Sequence, residues 1–148
     1  MKKDKTIRTL VQSIRSELRD IYTENEVNSL IRIIFRSVTP YDQAHHLHLN
    51  QDESLDNEHY HQIKDITKQL KSGKPIQQII GETEFYSLTF RVSPNVLIPR
   101  QETEELVDWM IQEIGNNGVD ILDIGTGSGC ISVALAKNLE QATVEAID

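Results

Sequence analysis

Three glycines at alternate positions follow Asp123 in the segment Asp-Ile-Gly-Thr-Gly-Ser-Gly, and they are Gly125, Gly127 and Gly129. Glycines let the backbone turn sharply and approach a ligand closely, and free amides at the start of a helix attract polar or anionic groups. Asp148 lies 23 residues after Gly125, where a carboxylate at a strand tip can hold ribose hydroxyls. The spacing therefore favours a site for a nucleotide-like ligand over a tight turn without one.

Three classes of site use such glycine-rich turns, and the spacing separates them. A dinucleotide fingerprint requires Gly-x-Gly-x-x-Gly, but the third position of that pattern is Cys130. A P-loop requires a lysine directly after the glycines, and none occurs before Lys137. The pattern Asp-x-Gly-x-Gly-x-Gly instead resembles motif I of class I S-adenosylmethionine-dependent methyltransferases, where the loop passes the amino-acid portion of a ligand that has no phosphate.

The elements around the loop are predicted from the apolar pattern. Residues 119–124 form a nearly continuous apolar run, which predicts a strand buried on both faces. Residues 131–139 predict a helix and residues 142–147 a second strand, so this part of the chain is a β-α-β unit. Before it, a helix with acidic residues in its first turn opens near Glu102, where the helix dipole favours anions.

Residues 1–73 predict a small helical domain. Apolar residues recur at helical spacing along three segments, and a polar, His-rich stretch precedes the third. Each segment begins with a residue type that accepts hydrogen bonds from helix amides. The predicted caps are Thr6, the capping box of Thr23 with Glu26, and Ser54.

Residues 74–100 predict a β connector. Two short β-prone runs, 84–86 and 88–92, flank Ser87, which predicts a hairpin or strand pair. Residues 101–148 then form the start of a ligand-binding domain. The predicted class is α/β, with a helical bundle, a hairpin connector and the opening β-α-β of a larger sheet.

Composition and charge exclude several kinds of protein. The chain has 148 residues with 38% hydrophobic and 26% charged residues, and no apolar run approaches the roughly 20 residues of a membrane span. No secretory signal is evident, so we expect a cytoplasmic protein. Residues 1–72 carry eleven Lys/Arg against eleven Asp/Glu, and residues 73–148 four against twelve, giving 0 and −8. Neither half has a basic footprint for nucleic acid, so we expect no direct DNA binding.

Two further segments make the resemblance specific. Gly-Glu-Thr-Glu-Phe-Tyr at 81–86 and Val-Leu-Ile-Pro-Arg-Gln-Glu-Thr-Glu-Glu-Leu-Val at 96–107 precede Leu-Asp-Ile-Gly-Thr-Gly-Ser-Gly at 122–129. Together they are similar to the peptide chain release factor glutamine methyltransferase family over essentially the whole chain. Two departures are Gln101, where the family usually has Pro, and Gln78, where it often has Tyr.

The resemblance implies an N-terminal portion of a Rossmann-like class I methyltransferase that methylates the glutamine side-chain amide of the Gly-Gly-Gln motif in release factors, in translation termination. It implies S-adenosylmethionine as cofactor, a release factor as partner and residues 1–73 as the substrate-recognition domain. The family's catalytic Asn-Pro-Pro-Tyr does not occur in these 148 residues, so we expect them alone to be inactive. The implied cofactor residues are Asp123 near the ammonium group through water, Gly125, Thr126, Gly127, Ser128 and Gly129 along the methionine portion, and Asp148 on the ribose.

Several alternatives stay open at the level of sequence. Arg100 and Glu102 lie in a loop that the family places near cofactor or substrate, but Arg100 could instead pair with Glu102 or Glu104. The chain could belong to a class I methyltransferase for a nucleic acid or small molecule, or be a release-factor-binding module without catalysis. Solvated loop residues are a better account than a metal site for five histidines, and packing is the better account for Cys130 and Trp109. These histidines are His45, His46, His48, His59 and His61.

Overall fold

A computed structural model of the chain describes residues 5–40 and 50–148. Contacts divide the chain into two compact units, Met1–Ile80 and Gly81–Asp148. The first contains α1 (Ile7–Leu18), α2 (Glu24–Val38), α3 (Asn57–Lys71) and α4 (Ile76–Ile80). The second contains β1 (Glu82–Phe85), β2 (Leu88–Arg91), α5 (Gln101–Ile114), β3 (Asp120–Ile124), α6 (Cys130–Asn138) and β4 (Thr143–Ile147). The α/β class is confirmed, whereas the domain boundaries at 73 and 100 stay predictions.

The first unit is built from amphipathic helices that share one core. In α1 the buried residues recur three or four positions apart, which puts them on one face. They pack with the apolar faces of α2 and α3, and Ile76 of α4 joins the same core. No helix among the described residues has the length and apolar character needed to cross a membrane.

The helix starts of this unit follow the predicted capping chemistry in two of three cases. Thr6 accepts from the amide of Thr9 at 3.3 Å. Thr23 and Glu26 form the predicted capping box, in which the amide of Thr23 donates to the Glu26 carboxylate at 2.7 Å. The third cap was predicted wrongly as Ser54, because Asp56 accepts from the amide of His59 at 2.9 Å and the helix begins two residues later than Ser54 would allow.

The predicted hairpin opens the second unit. β1 and β2 pair antiparallel, with Phe85 opposite Leu88. The two residues between them, Tyr86 and Ser87, have φ values of 48° and 60°. Positive φ at both central residues is the geometry of a type I′ turn, which matches the twist of the two strands.

The β-α-β unit of the tail also forms, since β3 and β4 pair in parallel with Ile124 opposite Ile147. Ile121 and Val144 pack into a core with α5 and α6, which includes the buried Val107 and Leu135. Burial on both faces of β3 was expected, but the described residues cover only this side. On the other face the exposed fractions are 54% for Leu122, 73% for Ile124 and 53% for Ile147.

Candidate functional site

The glycine loop, residues 125–129, joins the end of β3 to the start of α6. The φ angles of Gly125, Gly127 and Gly129 are +77°, +54° and +72°. An L side chain in this left-handed region costs about 1–2 kcal/mol. A Cβ on Gly125 or Gly127 would meet no atom of the described residues within 4 Å. The backbone conformation therefore favours glycine, and the space beside these two residues is open to a ligand.

Hydrogen bonds hold the loop against the end of β4. The amides of Gly125 and Thr126 both donate to the carbonyl of Ile147, at 2.8 and 3.1 Å. The amide of Gly127 lies 3.4 Å from the Asp148 carboxylate oxygen Oδ1, a long hydrogen bond. The structure thus brings the loop and Asp148 together, as expected for the carboxyl ends of neighbouring parallel strands.

The first turn of α6 presents free main-chain donors. Gly129 occupies the N-cap position and provides no side-chain cap. In the part of the chain that the structure describes, no acceptor takes the amides of Cys130, Ile131 or Ser132. Such unsatisfied amides at a helix start attract polar and anionic groups.

Asp123 is held by two hydroxyl groups. Thr126 Oγ1 donates to Asp123 Oδ2 at 2.9 Å, and Ser132 Oγ donates to the same oxygen. Thr126 Oγ1 and Ser132 Oγ are 2.9 Å apart, so the three oxygens form a closed triangle. The second carboxylate oxygen, Oδ1, has no hydrogen-bond partner within the described residues. Sequence reasoning missed Ser132, although a lone hydroxyl in the apolar start of this helix was an available signal.

No hydrogen bond or ion pair among the described residues joins Arg100 or Glu102 to the glycine loop. Arg100 is exposed and stands at the N-cap of α5, where its carbonyl accepts from the amide of Thr103 at 3.0 Å. No ion pair joins it to Glu102 or Glu104 in the described residues. Glu104 instead accepts from the amide of Tyr86 at 2.7 Å. A role for Arg100 and Glu102 near cofactor or substrate stays a prediction.

The hairpin turn rests on α5 beside a shallow surface cavity. The Tyr86 hydroxyl lies 3.1 Å from Asp108 Oδ1 and donates to it. Partial burial, and then the hydrogen bond to Asp108, raise the pKa of Tyr86. Trp109 lines the same cavity of about 390 Å³ and is 61% exposed, so the packing role expected for it is not observed among the described residues.

The remaining candidate residues are Cys130 and the five histidines. Cys130 is buried in the core of the second unit, in line with a packing role. His59 Nδ1 lies 2.8 Å from Asp56 at the start of α3. His45, His46 and His48 fall outside the described residues. Within residues 5–40 and 50–148, no three His, Cys, Asp or Glu side chains are grouped so that they could hold a metal ion.

Comparisons with known proteins agree on one family. The profile described as "PrmC N-terminal domain" matches residues 9–81. Release factor glutamine methyltransferase of Flavobacterium psychrophilum is 45% identical over 147 residues, which cover 94% of this chain and 51% of that protein. The proteins of the same name from Bacteroides thetaiotaomicron and Streptococcus pneumoniae are 42% and 36% identical to this chain. These alignments cover 91% and 94% of this chain, and 48% and 50% of the two relatives.

The chain belongs to the release factor glutamine methyltransferase family. The relatives match over nearly all of it, so both the helical unit and the unit with the glycine loop lie inside the resemblance. The chain spans about half the length of these relatives. The family assignment suggests S-adenosylmethionine as the methyl donor.

Proposed function

We propose that the gene product containing this chain transfers a methyl group from S-adenosylmethionine to the glutamine side-chain amide of a release factor's Gly-Gly-Gln motif. The observation that carries the proposal is the meeting of three features at one edge of the β3–β4 pair. These are an open glycine loop, a carboxylate with a free oxygen, and a second carboxylate at the neighbouring strand tip.

The donors and acceptors of this edge fit the proposed cofactor. S-adenosylmethionine has a zwitterionic amino-acid portion, a sulfonium centre and a ribose with two hydroxyls. Free amides at the start of α6 suit its carboxylate, and the free oxygen of Asp123 suits its ammonium group, directly or through water. Asp148 suits the ribose hydroxyls. The residues along the methionine portion are Gly125, Thr126, Gly127, Ser128 and Gly129.

When bound, the cofactor supplies an electrophilic methyl group. The amide nitrogen of glutamine is a poor nucleophile, so the protein must gain rate by aligning it with that methyl and by accepting hydrogen bonds from its NH2 group. Residues of this chain contribute by fixing the cofactor, with Asp123 at its amino-acid portion and Asp148 at its ribose. The accepting groups belong to an Asn-Pro-Pro-Tyr motif in the family, and residues 1–148 contain no such tetrapeptide.

The helical unit is proposed as the surface that recognises the release factor, in translation termination in the cytoplasm. The first 72 residues have no net charge, in contrast to the acidic remainder, so the two parts present different surfaces to a partner. The fold proposed for residues 101–148 is the opening of a Rossmann-like methyltransferase domain.

The test is methyl transfer followed by peptide mass spectrometry. The full gene product, incubated with S-adenosylmethionine and a release factor, should add the mass of one methyl group to the peptide containing Gly-Gly-Gln. A release factor with that glutamine changed to alanine is the matched control and should gain nothing. Methylation of another residue, of nucleic acid or of a small molecule in its place would overturn the substrate assignment. Residues 1–148 alone are expected to give no transfer.

A further inference from the structure

We infer that Ser132 is a positioning residue for the cofactor site, acting through Asp123. The inference rests on the proposed function, because it concerns how this chain would hold the amino-acid portion of S-adenosylmethionine. Ser132 is not part of the glycine loop. It lies in the first turn of α6, and its exposed fraction is only 7%.

The hydrogen bonds of Ser132 connect that helix to the end of β3 and to the glycine loop. Its hydroxyl donates to Asp123 Oδ2 and lies 2.9 Å from Thr126 Oγ1 of the loop. Each hydroxyl has one proton, and both protons are donated to the carboxylate, so the contact between Thr126 and Ser132 has no proton of its own. Ser132 thereby fixes Oδ2 against α6, and Oδ1 is left for a ligand.

A buried hydroxyl in a helix has a simpler way to be satisfied. It can donate to the carbonyl four residues earlier in the same helix. Thr67, which is fully buried in α3, does this with the carbonyl of Ile63 at 2.8 Å. Ser132 instead reaches out of its helix to a carboxylate on the neighbouring strand end. Ser132 is the third residue of α6, so the carbonyl four residues earlier, that of Ser128, lies outside the helix, and the hydroxyl is satisfied by Asp123 instead.

The geometry predicts a ligand-specific effect. S-adenosylhomocysteine keeps the amino-acid portion of the cofactor, whereas 5′-methylthioadenosine lacks it. Ser132→Ala removes one of two donors that orient the Asp123 carboxylate, a hydrogen bond to a charged group. In the full gene product we expect binding of S-adenosylhomocysteine to weaken about tenfold, with binding of 5′-methylthioadenosine unchanged. Asp148→Ala should weaken both ligands, because both contain the ribose.

Isothermal titration of both ligands into wild-type protein and the variants tests the inference. Thr67→Val is the matched control, since it also deletes a buried helical hydroxyl and should leave both affinities unchanged. In an Asp123→Ala background, Ser132→Ala should weaken S-adenosylhomocysteine no further, because its effect passes through Asp123. Circular dichroism and thermal unfolding show whether each variant is folded.

The outcomes separate the inference from the proposed function. Wild-type protein that binds neither ligand overturns the proposed function and the inference with it. Wild-type binding with unchanged S-adenosylhomocysteine affinity in folded Ser132→Ala protein overturns the inference alone. Equal weakening of both ligands, or an undiminished effect in the Asp123→Ala background, would also overturn it, because Ser132 would then act on the general stability of the site.

Discussion

Replacing Gly127 with valine tests whether the glycine loop is a ligand site or only a tight turn. Gly127 has a φ of +54°, and an added Cβ would meet no atom within 4 Å. The first side-chain carbon of the valine therefore meets no steric barrier from the described residues. Its cost to folding comes from the left-handed backbone conformation and is on the order of 2 kcal/mol for a β-branched residue.

That backbone strain is present in both the free and the bound protein, so it largely cancels in the binding free energy. A loss of affinity therefore reports a side chain that occupies the ligand's space. If the valine separates the ligand from two or three main-chain donors worth about 1 kcal/mol each, the loss is about 2–3 kcal/mol. This corresponds to a weakening of S-adenosylmethionine binding by roughly 30- to 150-fold.

Gly73→Val provides the matched control for the strain. Gly73 follows α3 in the helical unit, has a φ of +83° and would also accept a Cβ without any contact within 4 Å. Denaturant unfolding of the full gene product should show a similar loss of stability in the two variants, and isothermal titration should show lost affinity only for Gly127→Val. Equal affinities of both variants and the wild type would refute the assignment of the loop to the cofactor.

Three further predictions concern the second acid of the site and the stability of the helical unit. Asp148→Ala should weaken S-adenosylmethionine binding by about 1.5–3 kcal/mol in titration calorimetry. Glu145→Ala, which removes an exposed acid of the preceding strand β4, should not weaken it; an effect of Asp148→Ala on turnover with intact binding would count against a ribose contact. Thr23→Ala, which removes the capping box of α2, should lower the free energy of unfolding by about 1 kcal/mol in denaturant titration, and an unchanged midpoint would show that the cap is dispensable. The hydrogen bond from Lys64 is the main cause of the lowered pKa of Glu17. The stability that Glu17 contributes to the folded state is therefore complete above its unfolded-state pKa and is lost as pH falls through its folded-state pKa. The difference in unfolding free energy between wild type and Glu17→Gln should shrink from about pH 5 downward, and a constant difference would contradict this prediction.

The sequence predicts most elements because local signals and long-range packing agree. The capping box of Thr23 and Glu26 lies three residues apart at the start of an apolar stripe, so the local hydrogen bonds and the core both favour the same helix start. The cap of α3 was predicted wrongly because two acceptor-bearing residues, Ser54 and Asp56, stand close together before the same helix. The choice depends on the preceding segment, where Ser54 instead pairs with Thr6 in an isolated bridge.

The candidate site could be predicted as a loop and two acids, but not as a hydrogen-bonded unit. The alternation of glycines and the number of residues between the loop and Asp148 can be read directly from the sequence. The role of Ser132 depends on the rotation of α6 about its axis, which decides whether the hydroxyl faces β3 or solvent. Periodicity predicts that rotation poorly here, because apolar residues occupy most sides of this short helix. The exposure of Trp109 was missed because neighbouring positions on α5 do face the core.

The stability of the β3–β4 pair is coupled to the site that it carries. Two amides of the loop donate to the carbonyl of Ile147, and Asp148 follows it directly, so fraying of β4 would release the loop and move the second acid together. Parallel strands are normally covered on both faces, whereas the described residues leave Leu122, Ile124 and Ile147 exposed on one of them. A cover over that face would therefore stabilise the anchor of the loop. Cofactor affinity should depend on this cover even if the covering residues never touch the ligand, because they would shift the population of β4 that is paired and competent to bind.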